Sequence, residues 1–288
     1  LEALGARTER DAAGLLQMTA EKLVGTTVIL PEFSVTATEN LVMAAALATG
    51  TTRIRLAAAE PHVQTLCAFL QAAGARIAGI GTHELEITGV DALTPPGPWE
   101  VIPDANEAAT FAVAAAVTHG ALTIRRVQPE HLDATVSLLR RAGVPVETGA
   151  DWLRVSRAPR LRAFRLQTMI YPGFPTDNQA PFGVLATPCQ GTSLLHDPLF
   201  ESRLGYLQEL QKMGANVVIA DPHRAVVNGP TPLHGTEIRS LDLRAGATMV
   251  LAGLAAEGET VIHDAEVVYR GYEKLDERLS ALGARLEW

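Results

Sequence analysis

Polar residues suited to acid–base and anion chemistry stand at the starts of segments otherwise rich in small apolar residues. These residues are Ser34 and Thr36, Asp104, Thr176 and Asp177, and Asp242. Ser, Thr and Asp at such positions commonly cap the free N–H groups of a helix. If several helix N-termini face one cleft, they favour anions, and a carboxylate there can take a proton from a bound hydroxyl. Both interpretations, capping and chemistry, stay open for each residue.

Three arginines lie near the predicted helix starts and are candidates for a clamp on phosphate and carboxylate groups. They are Arg203 in the segment LFESRLGYLQEL, Arg244 in SLDLRAGAT and Arg270 in VYRGYEKL. Gly271 follows Arg270, and a glycine allows backbone and ligand to approach closely. The alternative for each arginine is a surface position or an ion pair with a nearby carboxylate.

Composition excludes several classes of protein. With 47% hydrophobic and 19% charged residues, the 288-residue chain is not disordered. A net charge of −8 argues against nucleic acid as a partner. No apolar run approaches the roughly 18 to 20 residues of a membrane span, so no membrane partner is expected. Cys67 and Cys189 form neither a disulfide framework nor a metal motif, which favours packing roles in a reducing cytoplasm. No metal or cofactor motif is present.

A repeat of about 70 residues organises the chain. The motif L-x-x-x-G-A places its glycines at 5, 74, 143, 214 and 283, at intervals of 69, 69, 71 and 69. Each unit predicts the order β-α-β-α-β-β, in which the first helix is apolar on most faces and therefore buried. Complete units are predicted over 25–92, 93–163 and 164–237. Residues 238–288 form a unit without its hairpin, and 1–24 form the tail of another.

The pattern predicts an α/β fold of two domains built around shared buried helices. The stretch 93–100 contains three prolines and is the best candidate linker. We therefore predict a partial first domain over 1–101 and a second domain over 102–288. The first strand of the second domain is expected within 98–104.

Five motifs resemble the UDP-N-acetylglucosamine 1-carboxyvinyltransferases, a family of enolpyruvyl transferases, and the likeness covers essentially the whole chain. The motifs are 174-FPTDNQA-180, 242-DLRAGA-247, 270-RGYEKL-275, 34-SVTATEN-40 and 208-QELQKMGA-215. The resemblance implies two inside-out α/β barrel domains of three units each. It also implies transfer of enolpyruvyl from phosphoenolpyruvate to the 3′-hydroxyl of UDP-N-acetylglucosamine, without a cofactor. That reaction is the first committed step of peptidoglycan synthesis and serves cell wall biogenesis, cell shape and cell division in the cytoplasm.

The resemblance also implies roles for eight residues. Asp177 matches the carboxylate that contacts and deprotonates the hydroxyl, and Arg270 matches a catalytic member of the phosphoenolpyruvate clamp. The remaining matches are substrate-binding positions. Arg203, Arg244 and Asp242 match the clamp segments, and Ser34, Val35 and Leu199 match contacts to the UDP-sugar.

The chain departs from the family pattern in ways that carry expectations. The family's first unit and its mobile loop with a Cys general acid precede the region matched by Leu1. We therefore expect this chain alone to be inactive, and its partial first domain to self-associate or to need the missing N-terminal segment. Glu32 stands where many members have Lys, and Ala105 stands where Arg is usual, near the nucleotide.

Two alternative functions remain at this level. One is the sibling enzyme 3-phosphoshikimate 1-carboxyvinyltransferase, which shares the fold and the enolpyruvyl donor. The other is a non-catalytic binding relic of the fold. Retention of Asp177 and Arg270 argues against the relic.

Overall fold

The computed structural model describes residues 1–201 and 203–287. The chain forms two compact units. The first comprises Leu1–Ile102 and Ile170–Pro172, and the second comprises Pro103–Met169 and Gly173–Trp288. Each is described by itself below. No helix among the described residues is long and apolar enough to cross a membrane.

The first unit contains one complete β-α-β-α-β-β repeat. Its elements are β1 (Arg7–Arg10), β2 (Leu16–Thr19), β3 (Thr27–Ile29), α1 (Val35–Ala46), β4 (Thr51–Arg55), α2 (Pro61–Ala72), β5 (Arg76–Ala78) and β6 (Glu84–Thr88). β1 and β2 form an antiparallel hairpin. The other strands form one sheet in the order β3-β4-β6-β5, in which only β3 and β4 are parallel. The predicted repeat over 25–92 is confirmed.

The second unit contains the remaining repeats. Its elements are α3 (Ala105–Val117), β7 (Leu122–Arg125), α4 (Asp133–Arg141), β8 (Val146–Thr148), β9 (Trp152–Val155), β10 (Arg165–Gln167), α5 (Gln179–Ala186), β11 (Gly191–His196), α6 (Tyr206–Lys212), β12 (Val217–Asp221), β13 (Arg224–Gly229), β14 (Glu237–Arg239), α7 (Leu243–Ala255), β15 (Val261–His263) and α8 (Leu275–Ala281). Three sheets result, in the orders β7-β9-β8, β10-β11-β13-β12 and β14-β15. The β14–β15 pair without a hairpin matches the prediction for 238–288.

The strand predicted within 98–104 is wrong. The described residues between β6 and α3 contain no strand. Pro95, Pro96 and Pro98 remove backbone N–H donors from this stretch, and a strand needs such donors to join a sheet. The repeat at 93–163 therefore has a three-stranded sheet where 164–237 has four strands.

Three apolar helices form the centre of the second unit. α3, α5 and α7 pack against one another, and the sheets lie outside them. All residues of α3 from Ala108 to Val117 and all residues of α5 are buried. Since these helices are apolar around their circumference, only an interior position satisfies them. The inside-out α/β architecture is confirmed for this unit.

The repeated glycines have a common conformation. Gly5, Gly74, Gly143, Gly214 and Gly283 have φ values of 101, 107, 90, 97 and 102°. Each follows a helical segment as its left-handed cap, where a side chain is disfavoured. The L-x-x-x-G-A repeat is therefore a helix-ending signal used once in each unit.

Candidate active site

Asp177 lies between two arginines in the second unit. Its Oδ1 accepts a hydrogen bond from Nη1 of Arg203 at 3.5 Å, and its Oδ2 accepts one from Nε of Arg244 at 3.1 Å. The Asp177 and Arg203 side chains are each 33% exposed, and that of Arg244 is 17% exposed. This arrangement is a half-buried carboxylate with two guanidinium groups, open to a ligand on one side.

Three other polar residues at helix starts are N-caps. Oδ1 of Asp104 accepts two backbone N–H groups of the first turn of α3, at 2.8 and 3.2 Å. Oδ1 of Asp242 does the same in α7, at 2.7 and 2.9 Å. The Ser34 hydroxyl accepts one such bond in α1 at 3.3 Å. The capping interpretation therefore holds for these three residues, whereas the Asp177 carboxylate makes no capping bond to its helix.

Arg244 is held as a charged donor at the edge of the core. Burial lowers the pKa of Arg244, but neighbouring Tyr272 and Asp177 raise it more, so its pKa lies above the ordinary value. The guanidinium carbon lies 5.5 Å from the centre of the Tyr272 ring. The Tyr272 hydroxyl is in turn 2.9 Å from Oγ1 of Thr110. Nη1 of Arg244 is fully buried beside these groups.

Asp197 organises the loops around Asp177 and was missed by the sequence analysis. It is fully buried, and its carboxylate accepts hydrogen bonds from the Thr168 hydroxyl at 2.7 Å and the Thr176 hydroxyl at 2.5 Å. It also accepts the backbone N–H groups of Leu199 and Phe200 at 3.1 and 3.3 Å. An acidic residue directly after strand β11 was the available signal, because a carboxylate there can accept hydrogen bonds from the turn that follows.

Arg270 is not joined to Asp177 by any hydrogen bond or ion pair among the described residues. It is the last residue of a 3₁₀ helix, Ala265–Arg270, and is exposed. The next residue does approach the site, because a Cβ at Gly271 would lie 2.5 Å from Cδ1 of Leu243 and 3.8 Å from Nη1 of Arg244. The RGYE segment therefore packs against the DLRA segment, with Arg270 at its rim.

The predicted UDP-sugar contacts are placed separately. Leu199 is 39% exposed in the turn held by Asp197. Ser34 and Val35 lie in the first unit, where they begin α1. Their roles in binding remain predictions.

Neither cysteine is suited to nucleophilic chemistry. Cys67 and Cys189 are both fully buried and unpaired. Burial raises the pKa of the Cys67 thiol to about 11, with a smaller contribution from Glu39, and that of the Cys189 thiol to about 12. The predicted packing role is consistent with both environments.

Comparison with known proteins assigns the family. The family model described as EPSP synthase (3-phosphoshikimate 1-carboxyvinyltransferase) matches residues 1–279. A UDP-N-acetylglucosamine 1-carboxyvinyltransferase of Wolinella succinogenes is 45% identical over all 288 residues, which cover 68% of that protein. An enzyme of the same name from Koribacter versatilis is 42% identical over the whole chain, which covers 66% of it. The chain belongs to the UDP-N-acetylglucosamine 1-carboxyvinyltransferase family.

Solved structures of enolpyruvyl transferases agree with this family assignment. The enolpyruvyl transferase NikO from Streptomyces tendae is 28% identical, with a TM-score of 0.89, over 99% of this chain and 70% of NikO. An EPSP synthase from Acinetobacter baumannii is 19% identical, with a TM-score of 0.71, over 97% of this chain and 68% of that protein, and supports the fold alone. The resemblance drawn from the motifs is confirmed, whereas the roles of individual residues remain predictions.

Proposed function

We propose that the protein transfers the enolpyruvyl group of phosphoenolpyruvate to the 3′-hydroxyl of UDP-N-acetylglucosamine and releases phosphate. The observation that carries the proposal is the Asp177 carboxylate, which makes no capping bond and faces Arg203 and Arg244. The name of the relatives at 42 to 45% identity supplies the acceptor, UDP-N-acetylglucosamine, and the transferred carboxyvinyl group. Phosphoenolpyruvate as the donor follows from the enzyme class.

In this proposal Asp177 is the base for the acceptor hydroxyl. The oxygen of that hydroxyl bonds to C2 of phosphoenolpyruvate while its proton passes to Asp177, and C3 takes a proton from a general acid, which the resemblance places before the region matched by Leu1. The C2–O bond to phosphate then breaks and C3 loses a proton, so the double bond is restored. A positioned carboxylate contributes about 10² to 10⁴ in rate to such a transfer.

Arg203 and Arg244 are the anion clamp in this proposal. Phosphoenolpyruvate carries a carboxylate and a phosphate, and guanidinium groups bind both bidentately. When that substrate arrives, it competes with Asp177 for the two guanidinium groups. Asp177 is thereby freed to accept the hydroxyl proton.

The test is phosphate release from phosphoenolpyruvate by the full chain. The protein is incubated with UDP-N-acetylglucosamine, with shikimate 3-phosphate and with neither, in parallel with Asp177→Ala. Release that requires UDP-N-acetylglucosamine and Asp177 would establish the reaction and would overturn the expectation that this chain is inactive by itself, whereas UDP-N-acetylglucosamine binding without release would fit that expectation. Release that requires shikimate 3-phosphate would instead identify the sibling reaction, and absence of release combined with absence of UDP-N-acetylglucosamine binding would overturn the proposal.

The proposed reaction gives the protein a place in cell wall biogenesis, and thereby in cell shape and cell division. The product is a UDP-sugar carrying an enolpyruvyl ether, and we infer that it is consumed in peptidoglycan synthesis. Cys67 and Cys189 are both free thiols. Free thiols fit the reducing cytoplasm as the compartment of this step.

A further inference from the structure

A second basic cavity lies in the second unit, away from the Asp177 cluster in the fold. It has a volume of about 570 Å³, and its walls include His119, Arg157, Arg160 and Gln190 together with three prolines. His119 follows the C-terminal end of α3, whereas Asp104 and the Asp177 cluster adjoin the N-terminal ends of the buried helices. A volume of this size is within the range of small-molecule sites, roughly 300 to 1,000 Å³.

The segment that lines the cavity is strongly basic in an otherwise acidic protein. The net charge of the chain is −8, yet residues 152–176 contain no Asp or Glu. Five arginines fall within 154–165. They are Arg154, Arg157, Arg160, Arg162 and Arg165. Over residues 1–201 and 203–287, none of these five side chains forms an ion pair with a carboxylate.

One of the lining arginines is hydrogen-bonded to another residue of the cavity wall. Nε of Arg160 donates to Oε1 of Gln190 at 2.6 Å, and both side chains are exposed to solvent. Its two Nη groups make no hydrogen bond within the described parts of the chain. The Gln190 amide nitrogen is a further donor at the same wall.

Helix ends do not cancel this positive charge. The C-terminal ends of α3 and α5 adjoin the cavity through His119 and Gln190, and each end carries roughly half a negative charge. Arg157 and Arg160 bring two full positive charges. Guanidinium groups bind phosphate bidentately, so this charge and donor set favours phosphate groups.

We propose that this cavity is a binding site for a small phosphorylated anion, in which Arg157 and Arg160 are the principal donors and Gln190 holds Arg160 in place. The site is separate from Asp177, Arg203 and Arg244 and does not depend on the proposed reaction. Its occupant is a free phosphate- or pyrophosphate-bearing metabolite.

Calorimetric titration of the full chain with inorganic pyrophosphate tests the proposal. The test variant is Arg157→Gln/Arg160→Gln, and the matched control is Arg154→Gln/Arg165→Gln. The control removes the same two charges from the same segment but leaves the cavity walls intact. All titrations are repeated in an Arg203→Gln background, because the Asp177 site also presents guanidinium groups to anions.

The Arg157→Gln/Arg160→Gln variant is expected to bind pyrophosphate about tenfold or more weakly, since charge-assisted hydrogen bonds are lost. The control pair is expected to change the Kd by less than about twofold, as screened surface charges do. If both double variants weakened pyrophosphate binding equally, or if neither weakened it, the proposed site would be overturned. Binding to phosphatidylglycerol vesicles without pyrophosphate binding would also overturn it, in favour of a membrane surface. UDP-N-acetylglucosamine binding by the cavity variant monitors the proposed function separately.

Discussion

Thr176, the residue before Asp177, donates a 2.5 Å hydrogen bond from its hydroxyl to the buried carboxylate of Asp197. The same carboxylate accepts the backbone N–H of Phe200, whose ring lies 5.1 Å from the guanidinium carbon of Arg203. Both partners of the Asp177–Arg203 contact are therefore tied to one buried acidic side chain. The support of the site at Asp197 therefore lies outside the five family motifs.

Replacing Thr176 by valine removes its hydrogen bond to Asp197 with little change in side-chain shape. In the presence of the N-terminal segment that the chain is expected to need, kcat should fall by about tenfold to a hundredfold, because small misplacements of a reacting group are costly. Thr168→Val is the matched control, since it removes another hydroxyl donor to Asp197 but is not adjacent to Asp177. Each variant should lose about 1 to 3 kcal/mol of unfolding free energy, so urea unfolding checks that stability is matched. Equal kcat values for the two variants would show that the tie to Asp177 has no catalytic consequence.

Asp177→Asn separates the proposed base from the proposed clamp. In the presence of the N-terminal segment that the chain is expected to need, phosphate release should fall by about 10² to 10⁴, because the proton acceptor is lost. Phosphoenolpyruvate should bind at least as tightly as before, since the carboxylate that competes for Arg203 and Arg244 has been neutralised. Steady-state kinetics and equilibrium titration measure the two quantities. Asp221→Asn, at a carboxylate paired with Arg224 outside the cluster, should change neither.

Two glycines of helix α7 should respond in opposite ways to alanine. A Cβ at Gly246 would lie 2.2 Å from Oγ of Ser240 and 2.6 Å from Cγ2 of Val268, whereas one at Gly253 would meet Thr260 only at 3.4 Å. Gly246→Ala should cost about 1 to 3 kcal/mol through overpacking. Gly253→Ala should be neutral or stabilise by up to about 1 kcal/mol through helix propensity. Urea unfolding of both variants decides this, and equal stabilities would contradict the close packing at Gly246.

The two buried thiols should be inert in the native protein. Because burial raises the pKa of Cys67 to about 11 and that of Cys189 to about 12, both stay protonated at pH 8. Alkylation by iodoacetamide should be about a hundredfold or more slower than for the urea-unfolded chain. Folding stability should fall as the pH rises above about 8.5 towards these pKa values, because only the unfolded thiols then lose protons. Rapid alkylation of the native protein at pH 8 would show that one of the thiols is accessible.

Local sequence patterns were sufficient to predict the architecture of the second unit. Each helix-ending glycine has a left-handed φ that follows from local chemistry, and α3 and α5 are apolar on all faces, so their burial can be read from their residues. The wrong prediction of a strand at 98–104 also has a local reason. Prolines in this region lack the backbone N–H donors that a strand needs to join a sheet.

Only the tertiary structure shows which of the polar residues cap helices and which contact distant side chains. Asp104, Asp177 and Asp242 look equivalent in the sequence, because each stands at the start of an apolar helix. Asp104 and Asp242 cap their helices. Asp177 instead contacts Arg203 and Arg244, which lie 26 and 67 positions further along the chain. The role of Asp197 likewise depends on tertiary contacts, because its partners Thr168 and Thr176 lie 29 and 21 positions away along the chain. Capping is a local interaction that sequence can predict, whereas pairing of distant charges exists only once the three buried helices and their loops have packed together.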